Sequence, residues 1–538
     1  MTDDACRTTG LIRALGDAIK HQAQDLALLH RVRYMLRCPW ESKSVEMQNR
    51  RGDFSPSANE VQKLQKDDYY DTSDNQGNLE KAVPPFAAFW YSRWQAFIFI
   101  LGLFFLIRVF GGLTPPFQSP DEFNHLKRAY LLSKAVLITD NREPHSGGLV
   151  DEGLLKYMDC FEGISANYGA QVSTSEIRDC NQIHFSGKRT FSELENTAMY
   201  FPLLYAPQAL ALLLGEKCRL SVANSYYLAR LFSSCAALSL LMWALVVYPA
   251  PPVVLALFAM PMCLFQFSSA SLDAMTFATT VLAVSVFLRG YDQRFTFDSR
   301  LLGVLASCVF LLAATRIIYI VLTPLIALLY RVRRSSGDLI SFVLVLCLAL
   351  TWIVFSLKTV HGQGAIVQKT GSSSIISYYV IHPNEFLSVI VRTFTESGIL
   401  MLWWRMFVGV LGWVDTPISP AAYIVFSIEL VAIAVVSNPP GALKSLKAFH
   451  FALFCASVCS ALLLFLVALS AWTGHPATFI ERMQGRYLYP SAFLLAFSTW
   501  TGTLSRARAT LSFAILVLMG LSSLESAIPS LLDRYYVH

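Results

Sequence analysis

The sequence predicts an all-α polytopic membrane protein, and its apolar runs, composition and charge placement carry that prediction. Apolar runs long enough to cross a bilayer recur from Trp94 to Ala527. Of 538 residues, 54% are hydrophobic and only 15% charged, and the mean hydropathy is +0.46, as expected of a chain surrounded mostly by lipid. Basic residues gather in short loops beside the runs: Arg289, Arg294 and Arg300, then Arg331, Arg333 and Arg334, then Lys444 and Lys447, then Arg506 and Arg508. Such clusters mark cytoplasmic loops. The formal net charge of +6 is small for this length and suggests no nucleic-acid partner.

Residues 1–90 form a polar, charge-balanced extension without a signal peptide, partly disordered and cytoplasmic. Within it, Leu11 to Leu36 has apolar residues near helical spacing, which suits the inner membrane surface. Residues 91–538 make the membrane domain. Crossings are expected near 94–110, 225–248, 253–269, 272–290, 301–314, 316–330, 339–357, 421–437, 450–471, 486–500 and 510–527, about eleven at bilayer length. With the N-terminus inside, all four basic loops then fall on the cytoplasmic face. The outer face receives the long loop 111–224, the corners at Asp273 and Arg316, and the loops 358–420 and 472–485.

The first outer loop opens on Ser119-Pro120-Asp121-Glu122-Phe123-Asn124-His125. An amphipathic helix is expected from Glu122 to Lys134, with Asp121 and His125 four apart on one face. Adjacent acids at a membrane mouth suit chemistry on a substrate that arrives through lipid. They also suit a helix N-terminus, where carboxylates favour the dipole. Further on, Tyr200-Phe201-Pro202-Leu203-Leu204-Tyr205 leads a short apolar run to Leu214, read as a juxtamembrane helix. In the loop 358–420, Glu385 to Met406 reads as a second interfacial or re-entrant element carrying Arg392, Glu396 and Arg405.

Of 11 cysteines, most sit singly in apolar runs and read as small core residues. Cys160 and Cys180 lie in a polar outer segment where a disulfide can form. No metal-binding spacing of the CxxC or HExxH kind occurs. Glu429 stands near the middle of an expected span, and an acid there is a functional candidate.

Several stretches together resemble a family of predicted bacterial multi-spanning membrane proteins whose function is undefined. They are SPDEFNHLKRAYLLSK (119–134), YFPLLYAPQALALLLG (200–215), LAR (228–230), PMCLFQFSSASLDAMT (261–276), HP (382–383), FVGVLGWVDTP (407–417), QGRYLYP (484–490) and RYY (534–536). That family is similar to the GT-C superfamily of membrane glycosyltransferases. The parallels are an acid in the first outer loop (Asp121 with Glu122), a proline-tyrosine juxtamembrane helix (200–215), and an acid at a short outer corner (Asp273). The resemblance implies a GT-C-like bundle with outer juxtamembrane helices. It also implies transfer of a sugar from a polyprenyl-phosphate donor to a glycan, lipid or protein acceptor outside the inner membrane. This chain departs from the pattern in having Asp-Glu in place of a spaced DxD.

Such chemistry needs a base for the acceptor hydroxyl and cations for the departing phosphate. Asp121 is the candidate base, with Glu122 or Asp273 positioning the acceptor or holding a divalent cation near Asp121. No other cofactor is expected. Arg486, beside Gly485 and Tyr487 where a span re-enters the membrane, and Arg316 are the candidate phosphate ligands. Both arginines equally suit the end of a span, where a long cationic side chain snorkels to water. His125 and Arg405 complete the candidate substrate set. The alternative function is transport or flipping of lipid-linked saccharides, which favours acids at mid-membrane and repeated broken helices. Only Glu429 is central, and no repeat is visible.

Overall fold

The computed structural model describes residues 93–142, 145–165, 167–194, 196–360, 372–396, 398–438, 447–500 and 504–537. The expected polar extension, 1–90, lies outside the described residues. The first apolar run forms α1 (Arg93–Leu113), which ends before Pro115-Pro116 because proline cannot supply the next helical N–H. The chain then builds a cap before it returns to the membrane. The cap comprises α2 (Glu122–Ser133), an antiparallel sheet of β1 (Asp140–Arg142), β2 (His145–Asp151) and, later, β3 (Arg189–Glu193), with α3 (Glu152–Glu162) and α4 (Thr174–Cys180) between the last two strands. Cys160 of α3 and Cys180 of α4 are disulfide-bonded. The Asp151 carboxylate accepts from the backbone N–H groups of Gly153, Ser186 and Gly187, which ties α3 to the turn before β3.

A 3-10 turn (Pro202–Tyr205) runs into α5 (Ala206–Lys217), a 12-residue helix over the short run expected to lie beside the membrane. Then come α6 (Val222–Val247), the short pair α7 (Pro252–Ala259) and α8 (Pro261–Phe267), α9 (Asp273–Tyr291) and α10 (Ser299–Thr315). A second 3-10 turn (Ile317–Leu322) leads into α11 (Thr323–Arg333), followed by α12 (Ser336–Thr359), α13 (Ser372–Ile381), α14 (Pro383–Thr395) and α15 (Ile399–Gly409). A tight hairpin of β4 (Val410–Leu411) and β5 (Thr416–Pro417) precedes α16 (Pro420–Ser437) and α17 (Ala448–Ala471). A third 3-10 turn (Gly485–Leu488) leads into α18 (Tyr489–Ser498), and α19 (Arg506–Tyr535) closes the chain.

By length and composition, 7 helices among the described residues are fit to cross a membrane: α1, α6, α9, α12, α16, α17 and α19. The count is up to 8 if α14 and α15, bent by 78°, make one broken span. The other expected crossings fall on shorter pieces. The run 253–269 is split at Pro261, 301–314 is a single short helix, and 316–330 and 486–500 each begin as a 3-10 turn. These two 3-10 turns and the one before α5 share a plan, with a proline in the first turn of the helix that follows (Pro207, Pro324, Pro490). Proline is tolerated there because those N–H groups have no intrahelical partner.

Helix α9 is the centre of the bundle, with nearly every side chain from Asp273 to Leu288 buried. It packs chiefly against α6 and α10, while α12 turns an apolar face outward through Ile340, Val343, Leu344 and Leu348. Arg534 near the end of α19 fastens bundle to cap. Its guanidinium pairs with Asp415 in the β4–β5 hairpin (2.8 Å) and donates to the carbonyls of Ile164, Asn167 and Ala170.

Candidate functional site

Asp121 adopts the left-handed conformation (φ 65°, ψ 2°) immediately before α2. Such backbone costs a non-glycine residue energy, though less for Asp than for most. Its carboxylate makes no capping bond to the helix. It accepts instead from Asn196 Nδ2 (2.6 Å) and Arg486 Nη2 (3.2 Å). A capping hydrogen bond therefore does not account for this side chain.

Arg486 sits in the third 3-10 turn and reaches two acids at once. Its Nη1 meets Asp273 Oδ2 at 3.2 Å while Nη2 meets Asp121. Its Nε donates to Gln484 Oε1 (2.7 Å), and Nη2 also faces the Tyr487 hydroxyl (3.3 Å). Gln266 in α8 fits between the two ions, bonding Asp273 and Arg486 with its amide nitrogen and oxygen (3.3 and 3.2 Å). Asp273 opens α9, and its other oxygen is 2.6 Å from Arg316 Nη2. Arg316 immediately precedes the second 3-10 turn and lies against the rings of Tyr200 and Tyr487. Carboxylate, guanidinium, carboxylate and guanidinium thus alternate in one chain from Asp121 to Arg316. Asp121 is its most open member at 30% exposed, Arg316 follows at 14%, and Asp273 and Arg486 are buried.

His125, one helical turn after Asp121, is buried, with Nδ1 2.7 Å from the Tyr205 hydroxyl. Burial outweighs the pull of Asp121 and Asp273 and pushes its pKa down to about 4, so the ring is neutral near pH 7.

Glu122 has a different fate from its neighbour. It is wholly buried and held side-on by Arg230, Nε to Oε1 at 3.1 Å and Nη2 to Oε2 at 3.2 Å. The Tyr226 hydroxyl (2.9 Å) and the backbone N–H of Ala270 (2.7 Å) also donate to it. Arg230 directs its remaining donors to the carbonyls of Gly111, Thr114 and Pro115. Glu122 therefore pins the loop after α1 to α6 and to the turn before α9. Where the sequence reading sets it to work beside Asp121, the structure pairs it with Arg230.

Arg405, expected with the substrate set, is exposed on α15 and stacked over Tyr423. Gly485 is small for a reason other than anion binding: a Cβ there would lie 2.0 Å from the Trp403 carbonyl oxygen. Asn196, Gln266, Tyr200 and Tyr205 join the site although the sequence singles out none of them as a site residue. The tyrosines carry a signal as part of the 200–215 patch and Gln266 as part of the 261–276 patch, whereas Asn196 carries none.

Among the described residues, no group of three or more His, Cys, Asp or Glu is arranged to hold a metal ion. Between Asp121 and Asp273 the structure places the Arg486 guanidinium, paired with both.

Comparison with protein families matches residues 103–495, well over half of the chain, to DUF2142, described as predicted membrane proteins. The chain belongs to that family. No curated protein and no solved structure matches it.

Proposed function

We propose that this DUF2142 protein transfers a sugar from a polyprenyl-phosphate donor to a hydroxyl of a glycan, lipid or protein acceptor. The site is assigned to the outer face of a bacterial inner membrane, with the N-terminus cytoplasmic. The observation that carries the reading is the ionic chain itself. A half-open aspartate is held in strained backbone by a buried arginine that also holds Asp273, itself paired with Arg316, all where cap meets bundle. Strained backbone and buried ion pairs are costly as stability devices and characteristic of reactive sites. The Cys160–Cys180 bond supports the sidedness, because disulfides persist in oxidising compartments.

In this reaction Asp121 takes the proton of the acceptor hydroxyl as its oxygen attacks the anomeric carbon. The bond from that carbon to the phosphate oxygen breaks, and polyprenyl phosphate leaves with the electron pair. Phosphate is a weak base, so the leaving group needs charge stabilisation more than a proton. Arg316 supplies it, since it is partly exposed and carries one ion pair, whereas every nitrogen of Arg486 is already bonded. Arg486 is then a positioning residue for both acids, and Tyr487 backs the two guanidiniums.

Reconstitution with radiolabelled polyprenyl-phosphate sugars tests the proposal. Label should pass to an acceptor with the natural chain and fail to pass with Asp121→Asn, the variant remaining folded. Labelled lipid crossing the bilayer without transfer would replace this reading with flipping. That second reading has one observation of its own, namely Glu429. It is buried in α16, accepts one bond from Ser522 (2.8 Å), and its second oxygen has no partner among the described residues.

A further inference from the structure

Four arginines are buried among the described residues: Arg128, Arg230, Arg486 and Arg534. Three of them face a carboxylate, in Glu122, in Asp121 with Asp273, and in Asp415. Arg128 faces none among the described residues. It is fully buried on α2, one turn beyond His125 on the same side of the helix. Its Nη2 donates to the carbonyls of Leu137 (2.8 Å) and Tyr200 (3.3 Å), while Nε and Nη1 are buried with no partner among the described residues. An unpaired guanidinium with two orphaned donors is among the most costly groups a protein can enclose. Burial pulls its pKa down to about 10, with only the Tyr205 hydroxyl acting against the lost hydration. An anion would supply both the missing charge and the missing acceptors.

The neighbourhood says which anion. Tyr200 stands between the two cations: its carbonyl accepts from Arg128 (3.3 Å) and its ring lies under Arg316, 5.7 Å from the guanidinium carbon to the ring centre. Its neighbour Tyr205, whose hydroxyl holds His125, feels the charge of both arginines. We propose that Arg128 is a second anion subsite, taking one phosphoryl group of a diphosphate ligand while the other meets Arg316. This rests on the reading of Arg316 as a phosphate ligand and narrows it, from phosphate-linked to diphosphate-linked donors.

The test uses the full chain in detergent and measures binding of inorganic phosphate, inorganic pyrophosphate, a prenyl monophosphate and a prenyl diphosphate. The natural chain should bind each diphosphate at least about tenfold more tightly than its monophosphate, the worth of one charge-assisted contact. Arg128→Gln should abolish that preference and leave monophosphate binding unchanged. Arg128→Lys, which keeps the charge and loses the planar fork, covers the case in which the glutamine variant fails to fold, and should reduce the preference. An equal diphosphate preference in the natural chain and in the folded variant, or no preference at all, would overturn the subsite and leave Arg128 to bound water. The reading of Arg316 is judged separately, by loss of monophosphate binding in Arg316→Gln. A preference shown by prenyl diphosphate alone identifies a lipid-linked ligand; one shown equally by pyrophosphate identifies a free one.

Discussion

Asp121 and Glu122 are adjacent, share a charge, and meet arginines of similar burial, yet they belong to opposite kinds of ionic centre. The Glu122–Arg230 centre is closed, since every donor of the guanidinium and both oxygens of the carboxylate are used, and both side chains are buried. The Asp121–Arg486–Asp273–Arg316 centre is open at both ends, at Asp121 and at Arg316. A closed pair holds backbone segments in register. An open one keeps charge available for something that is not protein. The left-handed turn at Asp121 separates them, pointing one acid toward the cap and the third 3-10 turn and the next toward α6.

The largest effect should come from breaking the closed centre. Glu122→Gln leaves a buried arginine without its counter-ion and should cost about 3–5 kcal/mol, read as a large fall in the thermal midpoint in detergent. Under the proposed reaction, Asp121→Asn should lower transfer about 10²–10⁴-fold, the usual worth of a general base, with the midpoint little changed. If the two variants destabilise equally, the contrast between the centres is lost. Arg316→Gln should weaken donor binding by about 1.5–3 kcal/mol, the worth of charged hydrogen bonds, measured by titration with the prenyl phosphate. Arg486→Gln should instead disorder both acids, lowering turnover more than donor affinity.

A smaller effect concerns His125. Its folded pKa of about 4 lies below the ordinary value of 6.5, so the unfolded chain takes up its proton first as pH falls. The stability associated with the neutral, buried ring is therefore complete above pH 6.5, is lost between there and about 4, and falls no further below. His125→Gln should flatten the dependence of the unfolding midpoint on pH across that window. An unchanged slope would show that the ring is hydrated in the native state.

Much of the architecture is legible in the order of residues. The apolar runs mark α1, α6, α9, α12, α16, α17 and α19, because a lipid environment demands long uninterrupted helices. Proline and polar corners mark the interruptions. The convergence of Asp121, Asp273, Arg316 and Arg486 is readable as well, since the basic loops orient the spans so that all four are expected together. The pieces that begin as 3-10 turns are harder to read. Arg316 and Arg486 precede apolar runs that look like ordinary crossings, and only packing shows that each run is short and starts at the site.

By itself, then, the sequence determined the membrane class, the positions of the long helices and the paired cysteines. Each of these follows from local composition or from spacing along the chain. Tertiary structure alone decided which of two neighbouring acids stays open, which arginine keeps donors to spare, and that Arg230 closes one centre while Arg128 meets no carboxylate among the described residues. Those outcomes depend on a single left-handed turn and on partners more than a hundred residues away, such as Arg230 for Glu122 and Arg486 for Asp121. A charge is neutralised by whatever group the packing brings within about 3 Å, and no local pattern records that meeting.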